Sequence, residues 1–193
     1  MRKISSKHDE ELKRKKNGTI MGIVLIIIML LSLMGYSFQS NYSEENNSKK
    51  IKYNGFEFIE QNGFWITEIK DFQFVFRYNP KQVERIKCDL KDLKNFYNKP
   101  LYIYSENGEA ISEIYGNLFY PNKIVQRMQR ACLKEQKCEE DLPTKTCEDN
   151  FIIIEEGDIK EIIQQENCVF IRGPKEDLIK ITDEFLFNII GIR

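Results

Sequence analysis

The feature that most constrains this chain is a run of nineteen residues without a charge, Ile20–Phe38 (IMGIVLIIIMLLSLMGYSF). A helix rises about 1.5 Å per residue, so the run would span roughly 28 Å, close to the hydrocarbon thickness of a bilayer. Eleven of its residues are Leu, Ile, Val or Phe, and together they favour insertion by roughly 3–7 kcal/mol. A core helix would show a polar face, which this run lacks. The sequence therefore predicts a transmembrane helix within residues 19–38.

Basic residues flank this run unevenly. Residues 1–18 contain seven Lys or Arg, whereas Lys49, Lys50 and Lys52 are the basic residues that follow within fifteen positions of the run. Because the more basic flank of a membrane span stays in the cytoplasm, we expect a cytoplasmic tail at 1–18. The C-terminal bulk of the chain is then expected outside, at the cell membrane.

Two other readings share this topology. A cleaved signal peptide would use the small residues around Gly35–Ser37, but the long basic region and full spanning length favour a retained anchor. A pilin-like subunit would be cleaved after Gly18. Against it, Asn17 stands where a basic residue is usual, and the start of the apolar run lacks Glu.

A polar segment, residues 39–50 (QSNYSEENNSKK), follows the apolar run. It has no periodic apolar residues and is typical of a flexible stalk. Two glycan acceptor sequences occur in it, with Asn41 and Asn46 as the candidate glycosylation sites. Asn and Ser are abundant here, so chance occurrence is the alternative.

The domain at 51–193 begins with hairpin signals. Asn62-Gly63 lies between two apolar-rich runs and predicts a tight turn joining strands at 53–60 and 64–69. A third strand follows with aromatic residues at every second position, which places one aromatic face toward a core. These residues are Phe72, Phe74, Phe76 and Tyr78. The pattern predicts a three-stranded antiparallel meander.

Helices and strands alternate after the meander. Residues 151–154 (FIII) and 168–171 (CVFI) are continuous apolar runs, typical of central strands covered on both faces. Together with the meander, the alternation predicts an α+β or mixed α/β domain. The remaining predicted elements are a strand at 101–104 and helices from Asn79-Pro80, over Ile111–Leu118, from Pro121 through Ile124, Val125, Met128 and Cys132, and from Pro174.

The chain has five cysteines. Disulfides persist outside the cytoplasm, so we expect two bridges among Cys132, Cys138, Cys147 and Cys168, with Cys88 left over. Sequence does not fix the connectivity; a Cys132–Cys168 bridge would tie the predicted helix to a buried strand and leave Cys138–Cys147. A four-thiolate zinc site is the alternative, but no C-x2-C spacing supports it, and we predict no metal site.

The stretches ACLKEQKCEEDLPTKTCEDNFIII (131–154) and NCVFIRGPKEDLIKITDEFLFNIIGI (167–192) carry a resemblance. In them the chain resembles uncharacterised single-span archaeal membrane proteins with a cysteine-containing extracytoplasmic domain. The resemblance implies disulfide bonds at the four clustered cysteines. It implies no activity and supplies no catalytic residue.

Several chemistries are disfavoured by composition. The one histidine, His8, lies in the predicted tail, so the outer domain lacks the parts of a Ser-His-Asp triad or a histidine metal site. Phosphate-binding glycine motifs are absent. The chain beyond residue 19 has a net charge of −5, which disfavours nucleic-acid binding. No cofactor and no catalytic residue are predicted.

Two classes of function remain. The first is a membrane-anchored binding or structural module, held in the bilayer by residues 20–38 and facing an envelope protein or a glycan. The alternative is a histidine-free carboxylate hydrolase. The candidate carboxylates of the hydrolase are Glu106, Glu109, Glu113, Glu155 and Glu156. The candidates for a Ca²⁺ site are Glu139, Glu140, Asp141 and Glu148. Trp65 and the alternating aromatic residues of the third strand (the Phe stripe) are the candidates for a ligand groove. A solvated acidic face and a packed core are the simpler explanations of these residues.

Overall fold

The computed structural model describes residues 16–31, 49–134, 136, 138 and 141–193. The chain divides into two compact units, Met1–Asn47 and Ser48–Arg193. Residues 16–31 are helical (α1), with nearly every residue exposed. Among the described residues, no helix is both long enough and apolar enough to cross a membrane. Residues 32–38 of the predicted span, and Asn41 and Asn46 in the stalk, lie outside the described residues.

The second unit begins with an antiparallel sheet of four strands. The strands predicted at 64–69 and from Phe72 are confirmed. The strand expected at 53–60 is wrong, because Asn54-Gly55 forms a turn of its own, so the predicted three-stranded meander has four strands. Asn54 (φ 48°) and Gly55 (φ 85°) have the same left-handed backbone as Asn62 (φ 53°) and Gly63 (φ 80°), which is what a two-residue hairpin turn requires. The strands, in spatial order, are β1 Lys50–Tyr53, β2 Phe56–Gln61, β3 Phe64–Ile69 and β4 Phe72–Phe76.

A five-stranded mixed sheet follows. Seven strands come after β4 in the chain, and five of them form this sheet. The seven are β5 Pro100–Ser105, β6 Arg127–Arg130, β7 Cys132–Leu133, β8 Thr144–Lys145, β9 Phe151–Glu156, β10 Glu161–Gln165 and β11 Cys168–Gly173. The order in the large sheet is β10-β11-β9-β5-β6, while β7 and β8 form a separate pair. All neighbours are parallel except β10 and β11. The predicted strands at 101–104, 151–154 and 168–171 are confirmed, and so is the α+β class.

Two helices are confirmed and two are not. Helix α2 (Gly108–Ile114) continues into a π-helical turn, Tyr115–Phe119, and α3 (Leu178–Ile189) follows a 3-10 turn, Lys175–Asp177. The helix expected from Pro121 is wrong, since that chain segment becomes β6 and pairs with β5. Pairing with β5 therefore outweighs the helical preference that the spacing of apolar residues indicates.

The helix expected from Asn79-Pro80 is also wrong, because only one turn forms there. The Asn79 side chain accepts from the Lys81 N–H at 2.9 Å, but the N–H of Ile86 bonds to the Glu184 carboxylate at 3.2 Å. The Glu184 side chain on α3 thus accepts a hydrogen bond from a backbone N–H that would otherwise bond within a helix.

Helix α3 lies between the two sheets, which explains why it is buried on nearly all sides. On one side the ring of Phe187 packs against Phe76 and Phe58, with centroids 4.6 and 6.1 Å apart. On the other, Ile181 approaches β11 so closely that a Cβ on Gly173 would lie 2.3 Å from its Cδ1. Trp65 and the Phe stripe pack into this core.

The opposite face of the large sheet is covered by the segment that follows β6. Ala131 and Leu133 pack there against Phe151, Ile153 and neighbouring side chains. The apolar runs at 151–154 and 168–171 are therefore buried on both faces, as predicted.

Two disulfide bonds are present, which confirms the prediction that this domain is disulfide-bonded. The bridges are Cys132–Cys138 and Cys147–Cys168, so the expected Cys132–Cys168 pairing is wrong. Cys132 lies in a short strand rather than on a helix, and the N–H of Asn167 bonds to the Cys147 carbonyl at 3.1 Å. That backbone contact brings Cys147, not Cys132, beside Cys168. Cys88 is free and half-buried.

Candidate functional site

An open cleft of about 380 Å³ lies at the carboxyl ends of β5 and β9. Ser105 ends β5 and Glu156 ends β9, and both line the cleft. The start of α3 and one residue of the loop closed by Cys132–Cys138 complete the lining. The described lining residues are Tyr104, Ser105, Glu106, Asn107, Gln136, Ile154, Glu155, Glu156 and Leu178.

The sheet topology explains why a cleft forms there. From β5 the chain passes through α2 to β6 on one side, whereas from β9 it passes to β10 and β11 on the other side. Two adjacent parallel strands whose connections leave in opposite directions are separated by a crevice at their carboxyl ends. Ligands of open α/β sheets bind at such switch points.

The β5–α2 junction forms a rigid polar wall. Ser105 is buried, and its Oγ accepts from the Asn107 N–H at 3.0 Å. The Asn107 side chain caps α2, accepting from the N–H groups of Glu109 and Ala110 at 3.1 and 3.0 Å. These bonds satisfy the first amides of the helix, so the polar atoms of this wall are fixed in place.

The β9 wall is acidic, and its carboxylates are partly paired. Arg172 on β11 donates to Glu155 Oε1 from Nε and Nη2, at 3.2 and 3.1 Å. Lys175 pairs with Glu156 at 3.2 Å, with both side chains largely exposed. Glu106 is exposed and has no ion pair with another described residue. The described lining thus contains three carboxylates and no basic side chain.

The carboxylates singled out in the sequence fall into two groups. Glu106, Glu155 and Glu156 are brought together at the cleft. Glu109 and Glu113 lie on α2 and pair instead with Arg77, at 3.1 and 3.7 Å. The hydrolase candidates therefore do not form one constellation.

Two of the four Ca²⁺ candidates near the cysteines belong to the described residues. Among the described residues, no group of three or more His, Cys, Asp or Glu side chains is arranged to hold a metal ion. Asp141 and Glu148 are described, whereas Glu139 and Glu140 lie outside the described residues.

A second cluster of titratable groups lies inside the domain, between α2 and α3. Glu113 and Asp183 contact each other there, and both are buried. Burial raises the pKa of Glu113 to about 7, against the influence of Arg77. Burial, reinforced by the charge of Glu113, raises the pKa of Asp183 well above its usual value.

An ion pair buried beside α3 ties Arg193 to the rest of the domain. Its guanidinium donates to the Glu184 carboxylate and to the carbonyls of Pro80 and Val83, the last at 3.0 Å. Burial raises the pKa of Glu184, and Arg193 opposes this shift. The pair is structural, since neither residue lines the cleft.

Several of these residues were not singled out by sequence reasoning. Ser105 and Asn107 carry a usable signal, because a small polar residue and an Asn cap stand between a predicted strand and a predicted helix. Asp183 also carries a usable signal, because it is an acidic residue that lies one helical turn from two apolar residues of the final helix. The order of the strands, which brings Ser105 and Glu155 into the lining of one cleft, has no local signal.

Fold and cleft together define a mixed α+β domain with an open polar site at the carboxyl edge of its larger sheet. In comparisons with protein-family models, curated proteins and solved structures, no match was found for this chain.

Proposed function

We propose that this chain is a membrane-anchored extracytoplasmic binding protein, whose α+β domain holds a positively charged segment of an envelope protein in its cleft. The cleft at the β5–β9 switch point carries the binding part of the proposal. It combines a recessed volume with a few fixed polar groups, as ligand sites usually do, and its described lining is acidic.

The acidic lining favours a cationic ligand. Glu106 has no cation beside it among the described residues, and Glu156 shares only an exposed pair with Lys175. An ammonium or guanidinium group would donate charge-assisted hydrogen bonds to these carboxylates. Tyr104, which is half-buried at the cleft, offers contact surface for the aliphatic stem of a Lys or Arg side chain.

The anchor part of the proposal rests on the sequence of residues 20–38 and on the disulfides. Residues 20–31 of this run are helical and almost all exposed, although the described helix does not reach the length of a span. Two disulfide bonds in a small domain favour an oxidising compartment. The basic tail then lies in the cytoplasm.

The hydrolase alternative receives less support. Glu155 is held by two bonds from Arg172, and neighbouring residues of a strand point to opposite faces, which separates Glu155 from Glu156. The pilin-like alternative concerns the N-terminal segment, and residues 32–38 of that segment lie outside the described residues.

Calorimetric titration of the full chain in detergent tests the cleft. Trilysine is expected to bind, and triglutamate is not. Glu106→Gln and Glu156→Gln should each weaken trilysine binding by roughly two- to fivefold, as for exposed charge pairs. Glu68→Gln, an exposed acid on β3, is the matched control. Equal weakening by this control, or binding of N-acetylglucosamine trimer in place of trilysine, would refute the proposed ligand.

Membrane fractionation tests the anchor separately. The full chain should stay in the membrane pellet after carbonate washing, and protease added outside should digest residues 49–193. A chain found in the soluble fraction would refute the anchor and leave the cleft proposal standing.

A further inference from the structure

Two buried carboxyl groups join the helices that border the cleft. Glu113 belongs to α2 and Asp183 to α3, and the two helices pack against each other. Glu113 is 7% exposed and Asp183 is 0% exposed. Two ionised carboxylates at such a position would repel each other without solvent to screen them.

The hydrogen bonds around Asp183 leave one of its oxygens without a donor. Oδ2 accepts from the N–H of Tyr78 at 2.9 Å. Oδ1 is buried and has no ordinary hydrogen-bond partner among the described residues, but the Glu113 carboxyl lies within hydrogen-bonding reach of Asp183. A proton on Oδ1, donated to the Glu113 carboxylate, would satisfy both groups.

The charges that face the pair supply too little compensation for two negative charges. Arg77, which follows β4, lies 3.7 Å from Glu113 but also 3.1 Å from Glu109. Tyr78 contributes its backbone N–H. Arg77 is therefore already shared by Glu109 and Glu113, and little of its positive charge is left to compensate Asp183.

We propose that Glu113 and Asp183 form a proton-dependent latch between α2 and α3, which releases when alkaline pH transfers the shared proton to solvent. Burial raises the pKa of both carboxyls, in keeping with a proton retained near neutral pH. Asn107, the cap of α2, and Leu178, the first residue of α3, both line the cleft, so release loosens two of its walls. The latch is a property of the fold and does not require the ligand proposed above.

Infrared spectroscopy of the full chain tests the shared proton directly. At pH 7 the wild-type protein should show the C=O band of a protonated carboxylic acid, which ordinary carboxyls no longer give at that pH. Asp183→Asn should weaken the band, because Glu113 alone is then left to hold a proton. This variant keeps both hydrogen bonds, because its amide donates to Glu113 and accepts from Tyr78. Absence of the band from the wild type, or a band unchanged in Asp183→Asn, overturns the proposal.

Hydrogen exchange tests the release. After correction for intrinsic rates, protection of the α2 amides should fall about tenfold or more between pH 6 and pH 9, the effect of one unit of pKa shift or more. In the Asp183→Asn variant, the protection of the α2 amides should stay constant over the same pH range. If that variant does not fold, Glu113→Gln serves the same purpose. Glu176→Gln, an exposed acid just before α3, should behave as the wild type. Constant protection in the wild type refutes the latch.

Discussion

The side chain of Asn117 pairs with the backbone of Val75 as a neighbouring β-strand would. Its Oδ1 accepts from the Val75 N–H at 2.8 Å, and its Nδ2 donates to the Val75 carbonyl at 2.7 Å. Asn122 makes the same two bonds to Gln73, at 3.1 and 2.8 Å. Two amides thus close the outer edge of β4, which would otherwise be open to pairing with another chain.

Replacing Asn117 tests this edge. Asn117→Ala leaves two backbone groups of Val75 unpaired at a buried position, and unpaired buried groups cost about 1–3 kcal/mol each. We expect the free energy of unfolding, measured in urea, to fall by about 2–4 kcal/mol. Asn122→Ala is the matched control: its bonds are exposed, so water replaces them and the loss should stay below about 1 kcal/mol. Equal losses would contradict the burial argument.

The Glu113–Asp183 pair predicts that stability falls as the pH rises. The folded domain retains a proton on Glu113 between pH 4.5, the ordinary glutamate value, and about pH 7, whereas the unfolded chain has lost it. Raising the pH across this window therefore favours unfolding, by about 3 kcal/mol from Glu113 alone, and Asp183 adds to the effect in the same direction. Urea unfolding at pH 5, 6, 7 and 8 measures the slope.

Glu113→Gln should remove only the Glu113 share of that slope, since Gln does not titrate and the buried Asp183 still does. Glu176→Gln, at an exposed position, should keep it. A domain that grows more stable from pH 5 to pH 8 would contradict the prediction.

Arg193 stabilises the domain by pairing with a buried carboxylate. The side chains of Arg193 and Glu184 are 2% and 0% exposed, so Arg193→Leu leaves Glu184 as an unpaired buried charge. We expect a loss of about 3–5 kcal/mol in thermal or urea unfolding. Combining Arg193→Leu with Glu184→Gln should recover part of it, because the amide oxygen still accepts from Ile86. No recovery would show that lost packing, not the charge, is responsible.

The two disulfides should contribute unequally. Cys147–Cys168 spans 21 positions and Cys132–Cys138 spans six. In the chain-entropy view the longer loop gives about 3 kcal/mol and the shorter about 2 kcal/mol. Replacing each pair by serines and measuring unfolding compares them. Peptide mapping without reductant checks the connectivity, and a Cys132–Cys168 peptide would contradict it.

Local sequence signals determined much of this domain. The Asn-Gly turns, the aromatic alternation of β4, the apolar runs of β9 and β11, and the final helix follow from backbone preferences and burial periodicity. Such signals act within a few residues, so they predict elements and the α+β class. The four clustered cysteines likewise indicated disulfides, though not which cysteines pair.

The tertiary structure decided what depends on contacts between distant segments. The segment after Pro121 has helical apolar spacing, yet β5 offers it a strand partner. Glu155 and Ser105 line one cleft only because β9 is placed beside β5. Asp183 stands on a helix whose spacing predicts one buried stripe, but packing between two sheets buries its other face as well. Each of these outcomes is set by free energy gained between segments far apart in the chain, which no local pattern encodes.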